Sequence, residues 1–145
     1  MKKILALAAI VLLLLPNVAV AAGTCTATTT GTRQNVIVIT WTCVGDASNG
    51  SFPATAAGVG VRGWLYAVDT VPGATQPTDN WDATITNANG YDLLGGGLAN
   101  RDTANAERAI PTKTAWVDGP ITLTITGNSV NSANIVVKAY IYKEN

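Results

Sequence analysis

"QNVIVITWTC", Gln34 to Cys43, is the stretch whose reading decides the fold. β-branched residues dominate it and nothing within it interrupts strand pairing, so it reads as a β-strand. Side chains in a strand alternate between faces, which sets Ile37, Ile39, Trp41 and Cys43 against Val36, Val38, Thr40 and Thr42. The first set carries the aromatic ring and the cysteine and is the expected core face. Upstream, Thr24 to Thr30 forms a neighbouring strand, with Gly31-Thr32 as its turn.

The same alternation extends downstream. Val44 to Gly58 is a loop rich in Gly, Ser, Asn, Ala and Pro. Val59 to Val71 is a long strand in which Val61, Leu65 and Ala67 alternate with Arg62, Trp64 and Tyr66, and Gly63 is the expected bulge. Trp81 to Thr86 points Trp81, Ala83 and Ile85 one way. Asn87-Ala88-Asn89-Gly90 is a hairpin turn of the Asn-Gly kind, and Tyr91 to Leu94 is the returning strand. Thr103 to Ala109 is expected to make one helical turn, capped by Asp102 or Thr103 and stopped by Pro111. Ile121 to Thr126 and Asn134 to Tyr142 complete the strands. Seven or eight strands separated by short turns predict an all-β, single antiparallel β-sandwich or jelly-roll-like domain over residues 22–145.

The chain opens with Lys2-Lys3, an apolar run from Ile4 to Leu15, Pro16-Asn17, and Ala19-Val20-Ala21. These parts in this order predict a secretory signal peptide over residues 1–21, cut before Ala22, with an uncleaved anchor as the alternative. Removing those residues from the 145 takes away two lysines and leaves seven basic groups against nine acidic ones, a net charge of −2. The remaining cations are scattered, so no cationic face for nucleic acid is expected. Export, to periplasm or medium, places Cys25 and Cys43 in an oxidising compartment, where a disulfide between neighbouring or facing strands is the expected state.

Catalytic sets are sparse. The chain has no histidine, which removes the usual triads and, with two cysteines, the usual zinc sites. Asp79 with Asp82, or Asp92 with Asp102, would suit a glycosidase pair, but each also suits a turn or cap. Asn87, Asn89 and Asp92 have the oxygen spacing of a short calcium loop, and the same residues make a good hairpin turn. No other cofactor is expected. Trp41 and Trp81 lie on apolar faces, whereas Trp64 and Trp116 are the candidates for exposed contact. "YDLLGGGLANRD", Tyr91 to Asp102, lacks the lysine of a phosphate loop. Gly95, Gly96, Gly97, Asn100, Arg101 and Asp102 therefore read as a structural corner, with Arg101 bridging Asp92 or Asp102 or holding loop carbonyls.

The block "TVPGATQPTDNWDATITNANGYDLLGGGLANRDTANAERAIP" (Thr70 to Pro111), continued by "VDGPITLTITG" (Val117 to Gly127), resembles a set of uncharacterised bacteriophage and prophage proteins. The shared string is a Pro-Gly, a Pro-Thr-x-Asn-Trp-Asp strand, an Asn-Gly hairpin, a Leu-Gly-Gly to Asn-Arg corner and a Gly-Pro-Ile-Thr-Leu strand. The resemblance spans about Val68 to Gly127. It implies a small, virion-associated β module with no catalytic residues to carry over. The expected function is non-enzymatic: a decoration-like structural or accessory protein acting through protein–protein contacts, with the virion or with itself. The alternative is an exported or surface-displayed module that binds a glycan or envelope partner. Membrane contact is expected only through the N-terminal segment, if it is uncleaved.

Overall fold

The computed structural model describes residues 22–32 and 35–143; the expected signal peptide, and Gln34 of the opening stretch, lie outside them. Among the described residues there are nine strands, and every pairing between them is antiparallel. They are β1 (Thr24–Gly31), β2 (Val36–Val44), β3 (Thr55–Ala57), β4 (Arg62–Pro72), β5 (Asp82–Thr86), β6 (Glu107–Ala109), β7 (Ala115–Asp118), β8 (Ile121–Thr126) and β9 (Asn134–Tyr142). The larger sheet runs β1-β2-β9-β4-β6, with β7 also on β4, and the smaller runs β3-β8-β5.

The two sheets share one hydrophobic core, built from the residues that alternation assigns inward. Ile39, Trp41 and Cys43 of β2, Ala83 and Ile85 of β5, Ile121, Leu123 and Ile125 of β8, and Ile135, Val137, Ala139 and Ile141 of β9 are all buried in it. Trp41 and Trp81 are fully buried, so each indole N–H needs an acceptor inside. Trp41 donates to the Thr55 carbonyl at 3.1 Å and Trp81 to the Asp102 carbonyl at 3.2 Å. Cys25 and Cys43 face each other directly across the β1–β2 pair and are disulfide-bonded. The bridge therefore joins neighbouring strands of one sheet.

At one end of the sheets Asn128 fastens three loops. Its side-chain oxygen accepts from the Thr78 N–H at 2.9 Å, while its amide nitrogen donates to the carbonyls of Gly50 at 2.7 Å and Val130 at 3.0 Å.

Several expectations are corrected. The long strand begins at Arg62, because Val59 and Gly60 form a turn closed by Val61 N–H on the Gly58 carbonyl at 3.0 Å. Its bulge lies at Tyr66, where the register slips between Leu65 and Ala67, and not at Gly63. Gly63 serves close approach instead: with φ of 154°, a Cβ there would lie 2.1 Å from the Tyr142 carbonyl oxygen. Tyr91 to Leu94 forms no strand, only an isolated bridge from Thr86 to Asp92 that leads into turns. Thr103 to Ala109 forms no helical turn. Asp102 does cap the bend that follows it, but Glu107–Ala109 is β6, paired with Val68–Thr70. A helix that short has an unfavourable nucleus, and the ladder offered by β4 prevails.

Candidate functional site

The outward face of the larger sheet collects aromatic side chains. Cross-strand register puts Trp116, Trp64, Tyr142 and Val36 in one row over β7, β4, β9 and β2. Trp64 and Trp116 meet edge-to-face, with ring centroids 4.7 Å apart. The bulge sets Tyr66 and Ala67 together opposite Tyr140, so Tyr66 is an extra side chain turned outward. Trp64, Tyr66 and Tyr142 are 41%, 59% and 53% exposed, too much for core residues and enough for a contact surface.

A charged group stands beside these rings. Arg108 on β6 forks onto Asp69 on β4, with Nε 2.6 Å from Oδ1 and Nη2 2.8 Å from Oδ2. Tyr140 donates its hydroxyl to Asp69 Oδ2 at 3.0 Å, and the Arg108 guanidinium lies 5.3 Å from the Tyr140 ring centre. The Arg108 hydrogen bonds hold the Asp69 carboxyl below the usual carboxylate range. Burial, and then the bond to Asp69, push the Tyr140 hydroxyl up. With both oxygens of Asp69 engaged, this group anchors side chains and is not set up as a general base. Val36, Tyr66, Arg108, Tyr140 and Tyr142 line a groove of about 310 Å³ beside it.

The glycine corner does different work. Gly95, Gly96 and Asn100 have φ of 58°, 84° and 53°, which lets successive tight turns form. Asp92 holds the first of them by accepting from the N–H groups of Leu94 at 3.1 Å and Gly96 at 2.7 Å. Leu94 and Leu98 turn into the core. The segment then lies along β5: Leu93 N–H meets the Ile85 carbonyl, Ala83 N–H the Leu98 carbonyl, and Arg101 N–H the Trp81 carbonyl, at 2.8, 2.9 and 2.7 Å. Asp82 receives the Asn100 N–H at 2.8 Å. The corner therefore closes the outer edge of the smaller sheet. Arg101 holds the Ala99 carbonyl at 3.0 Å and pairs with Glu107 at 3.6 Å; neither expected carboxylate partner, Asp92 or Asp102, is its ion-pair partner. Asp102 accepts from the N–H groups of Ala104 and Asn105, which keeps its carboxyl below the usual range.

The candidate calcium residues are similarly engaged. Asn87 Oδ1 accepts from the N–H groups of Asn89 at 3.0 Å and Tyr91 at 3.1 Å, closing the hairpin. Asn87 and Asp92 share a cleft of about 410 Å³ with Lys113 and Trp116. Among the described residues no group of three or more His, Cys, Asp or Glu gathers as metal ligands. Of the two glycosidase pairs, Asp79 accepts from Asn80 and the other three carboxylates from backbone N–H groups.

Sequence reading named Trp64 and Trp116 but missed Tyr66, Tyr140, Tyr142, Asp69 and Arg108. The alternation of Tyr140 and Tyr142 about buried Ile141 was the available signal for two of them. No protein-family model, curated protein or solved structure matches the chain.

Proposed function

We propose that the chain is an exported, phage-type accessory structural protein of decoration-like kind, a jelly-roll-like β-sandwich that acts through protein–protein contact. The observation that carries this reading is the outward face of the larger sheet. Trp64, Tyr66 and Tyr142 are exposed there beside Arg108. Trp, Tyr and Arg are the residues that dominate binding energy at protein interfaces. Arg108 is held by Asp69 and stacked near Tyr140 before any partner arrives, so little side-chain freedom remains to be lost on contact. The leader-like sequence of residues 1–21 and the Cys25–Cys43 disulfide support maturation in an oxidising compartment.

Mass spectrometry of purified phage particles tests the reading. The expected result is the chain, beginning at Ala22, in stoichiometric association with particles. Its absence from particles, with the protein recovered free, would defeat the proposal.

A second reading rests on the same aromatic face. Aromatic rings beside fixed polar groups also suit a sugar ring, so the alternative is an exported glycan-binding module. Binding on a glycan array, lost in Trp64→Ala and Tyr142→Ala, would favour it over particle contact.

A further inference from the structure

Sheet edges invite pairing with other chains, and folded proteins guard them by shortening, charging, bulging or covering. Of the four edges that the described strands leave, three are guarded. The β5 edge is covered by the glycine corner. The β3 edge has three residues, and Thr55 is tied to Trp41 and to the Cys25 carbonyl. The β6 and β7 edge is cut in two by residues 110–114, includes Pro111, and carries Glu107, Arg108 and Asp118.

Among the described residues the fourth edge, β1, is covered only at its start, where the Thr55 hydroxyl donates to the Cys25 carbonyl at 3.4 Å. It is eight residues long, pairs with β2 without a register slip from Thr24 to Gly31, and has no proline. No charged residue occurs from Ala22 to Thr32. The hairpin-closing bond from Thr32 N–H to the Val36 carbonyl, at 2.7 Å, fixes which backbone groups face which way. Even-numbered residues of β1 bond to β2, so Ala27, Thr29 and Gly31 turn their N–H and C=O groups away from the sheet. Thr29 also belongs to the core-side face yet is exposed, because β3 reaches only the start of β1; Thr29, Gly31, Val36, Ile37 and Lys143 are among the residues that line an open cleft of about 320 Å³.

We propose that this edge pairs with the β1 edge of a second copy of the chain, antiparallel about a two-fold axis, joining the two larger sheets into one. Charge selects this occupant. β1 itself carries no charge for an acidic or basic peptide strand to meet, Lys143 lying at the hairpin end of the cleft, whereas a second β1 brings no like charge opposite and sets threonine against threonine. The two-fold arrangement uses the same patch on both copies and closes, so assembly stops at two. The proposal is independent of the aromatic face.

Sedimentation velocity of the purified protein over a range of concentrations tests it, with Thr29→Pro and Trp64→Ala beside the parent. Proline at 29 removes only an outward N–H, so the β1–β2 ladder keeps its bonds. The parent and Trp64→Ala are expected to pass from one chain mass to two, and Thr29→Pro to stay at one. A parent that sediments as one chain throughout, or a Thr29→Pro variant that pairs like the parent, would overturn it. Amide hydrogen exchange on the parent gives a readout that needs no variant. The Ala27, Thr29 and Gly31 amides should gain protection as concentration rises; exchange at one fast rate throughout sinks the proposal.

Discussion

Trp64 and Trp116 stand directly opposite each other on β4 and β7, their rings 4.7 Å apart at 67°. An edge-to-face pair of this kind contributes about 0.5–1.5 kcal/mol beyond the area it buries. A double-mutant cycle with Trp64→Ala and Trp116→Ala, followed by urea denaturation, should return a coupling energy in that range. If the proposed particle contact uses this face, Trp64→Ala should also lower recovery of the chain on particles, because it removes an exposed ring at the centre of the aromatic row. A coupling near zero would mean that the rings touch without supporting each other.

The Asp69, Arg108 and Tyr140 group predicts a pH response at both ends of the scale. The folded state lowers the Asp69 pKa from its ordinary 3.8, so its stabilising effect is present above that value and lost as pH falls through the lower folded one. The Tyr140 hydroxyl is raised above its ordinary 10.0, so its effect is present below that value and lost as pH rises through the higher folded one. Thermal melts should show the parent losing Tm more steeply than Asp69→Asn below pH 3.8. The Arg108 side chain is 55% exposed, so salt should shrink the difference.

Gly63→Ala should be among the most harmful single-methyl additions to the sheet. Its new Cβ would meet backbone, the Tyr142 carbonyl at 2.1 Å, and backbone cannot rotate aside. A loss of about 3 kcal/mol is expected by urea denaturation. Gly60→Ala is the useful comparison, since a Cβ there meets nothing within 4 Å and only its positive φ is unfavourable; it should cost about 1 kcal/mol.

Removing the cross-strand disulfide should weaken the fold without changing it. Cys25 and Cys43 are 18 residues apart in the chain, and a loop of that size contributes about 3 kcal/mol on the chain-entropy view. Denaturation of the reduced parent and of a Cys25→Ala, Cys43→Ala double variant should agree to within about 1 kcal/mol. If reduction leaves the midpoint unmoved, the bridge constrains nothing that the β1–β2 ladder does not already hold.

Strand period carried most of what was legible in the sequence. Ile39, Trp41 and Cys43, then Ile121, Leu123 and Ile125, point inward as alternation requires, because a strand with one buried face writes its burial directly into its residues. Features created by distant partners were not legible. β6 exists because β4 offers it a ladder, and Arg108 finds Asp69 from 39 residues away. The bulge at Tyr66 was misplaced to Gly63 because glycine marks both bulges and close approaches. Of the two roles expected of Arg101, it takes the loop carbonyl, that of Ala99, and not the bridge to Asp92 or Asp102, because a nearby carboxylate in sequence need not be free in space.

The slip at Tyr66 and the break between β6 and β7 occupy the same level of the larger sheet. β4 pairs with β7 up to Leu65 and with β6 from Val68, and residues 110–114 bow out between the two. That segment bears no part of the ladder, and Ile110 at its start is 61% exposed. Its length is thereby uncoupled from strand register, so it is a natural cassette. Short peptides could be inserted there and held beside the aromatic face, making the domain a display scaffold whose cargo and whose contact surface vary separately.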